Sequence, residues 1–544
     1  MTQTETQQAN LTEIRQLLLS MLDKGQGAEA VDLMVELVRA VRDRNTELEL
    51  RLRTLLKDKF GRKSETLAKD QLDLFLGLLG VPVPAEAPSD APEVGSEPAD
   101  AAEPEEEPKK RARPHGRRPL PPELPREEHV LPVPVEQRPC PICGALRVCI
   151  GHERSEVLEF IPATFKVLVY LREKLACPPC GEGVIVAAPA DKVIERGLPG
   201  PGLLAEVLVN KYRDSLPLYR QHERFKRLGV DIARPTLVNW VAEGAALLEP
   251  VALRLALRVL SAHVLQTDST HLKVLDDSRK PAIKRGTLWC YVGDGQDVVF
   301  RYTPTGHQDD PLAFLALRRG WLQADGTNLY DKLFKDRPGH AATALEVGCM
   351  MHARRYFVRA LDAGDLRAAV PLRMIQKLYQ VEEEATARGL DPDARRTLRQ
   401  ERALPVLTDL GQWIAGLVKK EPPKMPLGRA FTYAVNQWEA LKRYTDAGRL
   451  PIATGAVERA IRVVAVGRKN YLFAGSDDGA KRAAILYSVL GSCALADVDP
   501  WAYLYDVLGK LAGNWPHQRL DELLPAQWKT LYAKPAPATP PTPI

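Results

Sequence analysis

Between Val81 and Pro108 the chain carries nine acidic residues and no Lys or Arg, and between Lys109 and Arg118 six basic residues and no acid. Pro, Ala and Glu dominate as far as about Pro125, leaving too little apolar material to offset the entropy lost on folding. Residues 81–125 therefore read as a disordered, acidic-then-basic linker, and the 544 residues must fold as separate units around it. The basic half, with Arg113, Arg117 and Arg118, is also suited to lie along phosphates or in a minor groove. The formal net charge of +5 is modest, and the clustering of charge says more than its sum.

Upstream, residues 1–80 read as a helical, coiled-coil region. Met34, Val38, Val41, Asn45, Leu48, Leu52 and Leu55 are spaced alternately by four and three, with an Asn in the seam that suits a dimer register. Two readings fit: a homodimer or larger assembly held by this stripe, or a helix packed on its own domain. A basic end follows, in which Arg62 and Lys63 are candidate DNA contacts.

Downstream, residues 126–195 contain Cys140-Pro-Ile-Cys143 and Cys177-Pro-Pro-Cys180. Each pair sets two thiolates within reach of one tetrahedral Zn²⁺, with strand-like sequence between them at Glu159–Ile161 and Phe165–Tyr170. The pattern predicts a zinc ribbon with a structural Zn²⁺; unmetallated thiols are the alternative, and Cys149 and His152 are bystanders or substitute ligands. No charged-then-apolar leader and no bilayer-length apolar run occur, which predicts a cytoplasmic, nucleoid-associated protein with no membrane partner.

Residues 196–255 read as helical. Leu218 to Leu228, then Gly229-Val230, then a second helix opened by Arg234-Pro235, has the form of a helix-turn-helix that would offer Arg234, Thr236 and Asn239 to a groove. A plain αα-hairpin is the other reading. From 256 to 490, strand-like runs at Val264–Leu275, Thr287–Val292 and Val298–Thr303 precede a helix from Pro311, a strand ending at Asp325, and another before Cys349. Strands followed by alternating strand and helix is the order of a ribonuclease-H-like α/β core, here with a helical insertion at about 360–444. Residues 491–544 form a C-terminal helical region and tail. The fold class expected is thus multidomain α+β.

Three acids stand out against this frame. Asp268 and Asp325 close apolar strand-like runs, and Glu458 opens a basic helix. Carboxylates from separate elements are what two Mg²⁺ ions need to hold the attacking and leaving oxygens of a phosphodiester. Arg459, Arg468 and Lys469 follow as candidate phosphate contacts, and Arg462 is placed either to do the same or to pair with Glu458 at i,i+4.

The stretch Glu458-Arg459-Ala460-Ile461-Arg462 through Arg468-Lys469-Asn470-Tyr471-Leu472-Phe473-Ala474-Gly475-Ser476 resembles the segment after the last catalytic acid in the insertion-sequence-66 family of DDE transposases. Phe60-Gly61-Arg62-Lys63-Ser64-Glu65, Pro217-Leu218-Tyr219-Arg220-Gln221, Cys349-Met350-Met351-His352-Ala353-Arg354-Arg355 and Asp499-Pro500-Trp501-Ala502-Tyr503-Leu504 resemble further family segments in the family's order. The chain differs at Ser269, where the family usually has an acid, at Thr454 and Gly455, where it has two Asn, and at Thr327, where a Tyr is common. The resemblance implies a transposase that binds double-stranded DNA at its element ends and cuts and joins it with Asp268, Asp325 and Glu458 as Mg²⁺ ligands, two ions per site. Small accessory proteins of the same element are implied as possible partners. A DNA-binding regulator that has lost cleavage is the alternative, suggested by the changed residues.

Overall fold

A computed structural model describes residues 18–38, 164–175, 185–195, 197–276, 280–336 and 341–532, with positions 16, 41, 72, 76, 77 and 278. The four knuckle cysteines, Arg62, Lys63, Arg113, Arg117, Arg118 and the heptad positions Asn45, Leu48, Leu52 and Leu55 lie outside the described residues. The described fold is mixed α+β.

A short antiparallel pair, β1 (Lys174–Leu175) and β2 (Ile185–Val186), precedes the main body. The predicted strand at Phe165–Tyr170 does not form; Val167, Val169 and Leu171 stand exposed in an extended stretch with no ladder partner among the described residues, so β-branched composition alone did not make a strand there. Helices α1 (Pro201–Tyr212), α2 (Leu218–Arg227) and α3 (Arg234–Ser261) follow. Gly229, at φ +87°, makes the turn between α2 and α3, a backbone conformation that costs a side-chain-bearing residue energy. The 28-residue α3 then runs far beyond the turn, and its Val251, Leu255 and Val259 are buried in the core that the sheet shares. The helical segment and the sheet are therefore packed as one unit.

The sheet has five strands in the order β5-β4-β3-β6-β7. β3 (Val264–Leu275), β4 (Ile283–Gly293) and β5 (Asp297–Thr303) form an antiparallel meander, and β6 (Gly320–Gln323) and β7 (Ala344–Val347) add parallel to β3 on its other side. The β4–β5 turn places Asp294 and Gly295 at positive φ, the pairing a tight right-twisted hairpin needs. Asp294 also accepts from the backbone N–H groups of His263 and Val264, anchoring the start of β3. Helix α4 (Asp309–Leu315) carries the chain over to β6.

β4 is buried without interruption from Gly286 to Gly293, so both sheet faces are covered. The edge strand β5 is sealed by helix α10 (Asp477–Leu495). Ser488 and Ser492 accept from the backbone N–H groups of Phe300 and Val298, at 2.8 and 3.0 Å. Four helical residues rise about 6 Å and two strand residues about 6.6 Å, so the serine spacing matches alternate edge groups. The approach is so close that a Cβ on Gly491 would meet Val298 Cγ1 at 2.6 Å.

Between β7 and the last core helices lies an all-helical body: α5 (Met350–Asp362), α6 (Ala369–Ala387), α7 (Leu404–Val418) and α8 (Pro426–Asn436), with shorter helices between. It has its own core around Phe357, Ile375, Leu407 and Phe431. The wholly buried Arg399 bolts it together by donating to Glu382 and to the carbonyls of Tyr444 and Ala447. Helix α9 (Gly455–Asn470) then returns the chain to the sheet, followed by α10 and α11 (Pro500–Ala512). No helix among the described residues is long and apolar enough to cross a membrane.

Candidate active site

Register brings the first two acids together. β3 pairs with β6 through Val264–Trp321, Leu265–Leu322 and Gln266–Gln323, a constant offset of 57 positions. Asp268 and Asp325 differ by the same 57 and follow directly where the ladder ends. Side chains alternate across a strand, so Asp268 lies on the same face of β3 as Gln266, and Asp325 follows Gln323 by the same two residues. β6 stops at Gln323, two residues short of where the sequence suggested, and Asp325 sits just past the strand's C-terminal end.

Those glutamines form a buried amide clasp. Gln266 Nε2 donates to Gln323 Oε1 at 2.8 Å and to the Ala453 carbonyl at 3.1 Å. Gln323 Nε2 donates to the carbonyls of Gly348 and Pro451 at 2.9 and 2.8 Å. Gly348 precedes α5, and Pro451 and Ala453 precede α9. One pair of side chains thus ties both acid-bearing strands to the entries of the two helices that complete the site.

Glu458 lies in the first turn of α9, where the helix dipole favours a negative charge. Thr454, just ahead of it, is buried, with its hydroxyl 3.2 Å from Cys349 Sγ and its N–H donating to the same sulfur. Glu458 pairs with Arg355 of α5 at 3.5 Å, and no Glu458–Arg462 pair forms among the described residues. On the same helix, His352 Nε2 is 3.9 Å from Asp325 Oδ2. Asp325 Oδ1 accepts from Tyr433 Oη of α8 at 3.2 Å, and Tyr433 stacks on Tyr356 with ring centroids 4.7 Å apart. The helical insertion therefore reaches into the site.

Burial pushes the Asp268 carboxyl above its ordinary range, and the charges of Glu458 and Asp325 push the same way; the Ser269 N–H bond and His352 oppose. Asp268 thus feels both other acids. Burial also works against charge on Cys349 and His352, yet the two favour each other's ionised forms. Contact with His352 and Thr454 draws the thiol below its usual value, and Cys349 and Asp325 raise the imidazole. Asp477 is not part of the cluster: Lys284 Nζ donates to it at 2.6 Å and holds it low, and Asp478 pairs with Lys481.

The remaining sequence candidates are distributed. Arg234, Thr236 and Asn239 are exposed on the first turns of α3 while Leu237 and Trp240 face the core. Arg459 and Lys469 are exposed on α9, and Arg468 donates to the His271 carbonyl of β3. Gln266, Gln323 and Tyr433 escaped sequence reasoning, and Arg355 was named only within a family segment, with no partner assigned. The glutamines carried a readable signal, the repeated Gln-x-Asp of Gln266-Thr267-Asp268 and Gln323-Ala324-Asp325; Tyr433 carried none.

Among the described residues no three His, Cys, Asp or Glu side chains stand close enough to share one ion. The donor chemistry nonetheless suits a hard divalent cation: three carboxylates from three elements, one of them, Asp268, raised chiefly by burial and further by the charges of the other two.

Comparison with known proteins agrees along the chain. The model of the Transposase IS66 family matches residues 196–482, and that of the zinc-finger binding domain of transposase IS66 matches 137–181. The IS66 C-terminal element matches 488–526, and the Transposase C of IS166 homeodomain model matches 47–128. The uncharacterized protein y4hP of Sinorhizobium fredii (strain NBRC 101917 / NGR234) is 32% identical over 510 residues, 89% of each chain. From the same organism, y4qI is 33% identical over 402 residues, covering 72% of this chain and 74% of its own. With one family model spanning more than half of its residues and the others falling in order on either side, the chain belongs to the IS66 transposase family.

Proposed function

We propose that this chain binds the ends of its insertion sequence and catalyses metal-dependent DNA cleavage and strand transfer, with Asp268, Asp325 and Glu458 as the reacting centre of a ribonuclease-H-like core. The observation that supports the reading is the shared offset of 57, held by the parallel ladder as far as Gln266–Gln323 and repeated by Asp268 and Asp325 two residues further on. Ligands of open α/β sheets gather at the carboxyl ends of strands. Two Mg²⁺ ions, when bound by the three carboxylates, would supply charge neutralisation at the scissile phosphate and activation of the attacking oxygen. The chain's own groups set the stage: Tyr433 and His352 orient Asp325, and Arg355 holds Glu458.

Double-stranded DNA at element ends and target is the proposed partner. Arg234, Thr236 and Asn239 would read a groove, and Arg459, Arg468 and Lys469, with Arg62, Lys63, Arg113, Arg117 and Arg118, would meet phosphates. A structural Zn²⁺ on Cys140, Cys143, Cys177 and Cys180 would fold the finger. We place the protein in the cytoplasm, at the nucleoid, as a homodimer or larger, with accessory proteins of the element as further partners.

The experiment is an Ala substitution at each acid. Each variant should bind end DNA as the wild type does yet lose cleavage and strand transfer; Mn²⁺ should replace Mg²⁺, and Ca²⁺ should support binding only. Activity retained by Asp268→Ala or Asp325→Ala would overturn the assignment. Binding without cleavage in the wild type would leave a DNA-binding regulator, the role suggested by Ser269, Thr454 and Gly455.

A further inference from the structure

Helix α9 presents Arg459, Arg462, Val466 and Lys469 to solvent at spacings of three, four and three, one face along its whole length. The stripe begins beside Glu458 and ends at an apolar tip, Leu472 and Phe473, which are 64% and 42% exposed. Single exposed apolar residues are ordinary. These two are unusual in how firmly they are held outward.

On one side of the tip, Tyr471 is anchored inward by its hydroxyl contact with Tyr487 and lies under Lys211, whose Nζ is 4.7 Å from the ring centroid. On the other side, Ala474 is bonded to β3 twice: its N–H donates to the Lys273 carbonyl at 2.8 Å, and its carbonyl accepts from the Leu275 N–H at 2.9 Å. β6 pairs with β3 only as far as Gln266, so Ala474 occupies the same edge further along, and Asp268 lies between the two attachments. The tip is thus pinned beside the strand that carries the first acid.

We infer that Leu472 and Phe473 form a wedge that unstacks a base step of the DNA lying along α9. This rests on the proposed DNA-cleaving function and adds a contact to bases rather than to phosphates. The charge on the page selects the occupant, because three cations line the path from the acids to the tip and no acid interrupts that exposed face. Apolar side chains inserted between base steps are an established way for a protein to bend a duplex. The separation fits as well. Five strand residues from Asp268 to Lys273 span about 17 Å, and eleven helical residues from Glu458 to Lys469 about 16 Å. At roughly 3.4 Å per base pair, the wedge meets the duplex about five steps from the reacting phosphodiester.

The test uses the full chain and a duplex of the terminal sequence flanking its coding region, with 2-aminopurine placed singly at successive positions inward from the cleaved bond. With wild type, fluorescence should brighten at one position near the fifth step. Phe473→Ala and Leu472→Ala should lose the brightening while keeping the salt dependence of binding. Lys469→Ala should keep the brightening and lower the salt slope by about 1. Wild type bound to the duplex with no position brightened overturns the wedge, as does brightening retained by Phe473→Ala. A change in the sedimentation of DNA-free Phe473→Ala would make the tip a contact between copies and overturn it equally. Failure of the wild type to bind the duplex would instead bring down the DNA-cleaving reading on which the wedge stands.

Discussion

Gln323→Leu is the most direct probe of how the site is assembled. Leucine nearly matches the volume of glutamine, so little cavity forms in a position with no solvent exposure, and the cost is polar. Three hydrogen bonds disappear: those to the Gly348 and Pro451 carbonyls and the one accepted from Gln266. Each is worth about 1 kcal/mol net, and an acceptor left buried without a partner costs about 1–3 kcal/mol. Gln266 keeps its bond to Ala453, so the total should be roughly 3–5 kcal/mol, a large share of a typical folding free energy of about 5–15 kcal/mol. In a domain of this size about 1 kcal/mol moves the midpoint by roughly 2–4 °C, so thermal unfolding should shift down on the order of 10 °C. At a temperature where the variant is folded, it should bind end DNA but cleave it poorly, because the strands bearing Asp268 and Asp325 lose their tie to the entries of α5 and α9. A midpoint lowered by less than about 2 °C would refute the energetic reasoning. A lowered midpoint with wild-type cleavage per bound complex would make the clasp structural only.

Four further outcomes are expected. The raised pKa of Asp268 means that its contribution to stability is complete below the ordinary carboxylate value and is lost as pH rises through the folded value. Asp268→Asn should therefore melt higher than wild type at neutral pH, with the gap closing below about pH 4; equal midpoints at neutral pH would count against a carboxylate strained by burial and by its acidic neighbours. Tyr433→Phe removes the hydroxyl that orients Asp325 and should raise the Mg²⁺ concentration for half-maximal cleavage roughly 10–100-fold, with an unchanged value ruling out a role for the insertion in the site. Metal analysis should find about one Zn²⁺ per chain, lost in Cys177→Ser, and a metal-free but folded wild type would exclude the ribbon. A fragment of residues 1–80 should scatter light as a dimer or larger and Leu48→Asp as a monomer; the described seam positions Met34, Val38 and Val41 are half or more exposed, as a seam awaiting a partner requires.

The amino-acid sequence by itself determined what local chemistry governs. Apolar runs placed β3 and β5 almost to the residue and the buried stretch of β4, but not the three exposed or half-buried positions from Ile283 that open it, because only the buried part of a strand shows in its composition. The glycine at 229 and the proline at 235 marked the turn and the start of α3, since each restricts the backbone locally. The helical insertion was legible from its length of charged sequence with no strand signal, and the family from motifs standing in order. Asp268 and Asp325 were nameable as candidates because a charged residue at the end of an apolar run stands out, and Glu458 because it is an acid opening a basic helix.

What only the tertiary structure decided is which of these meet, and what holds them. Register is a relation between strands, so setting 268 alongside 325 on parallel strands needed the β3–β6 ladder to supply the shared offset. The run at Phe165–Tyr170 had the composition of a strand and no partner among the described residues, and a strand exists only through its ladder. Residues 196–255 were legible as helical, but not that the later turns of α3 would enter the sheet's core, where their apolar face covers β4 and β5. Glu458 had one candidate partner along its own helix, Arg462, and the fold pairs it instead with Arg355, which is 103 positions away in sequence and 3.5 Å away in space. Tyr433 belongs to the same class. Nothing around it marks it as special, and its hydroxyl matters because a helix from the insertion packs where Asp325 emerges from the sheet.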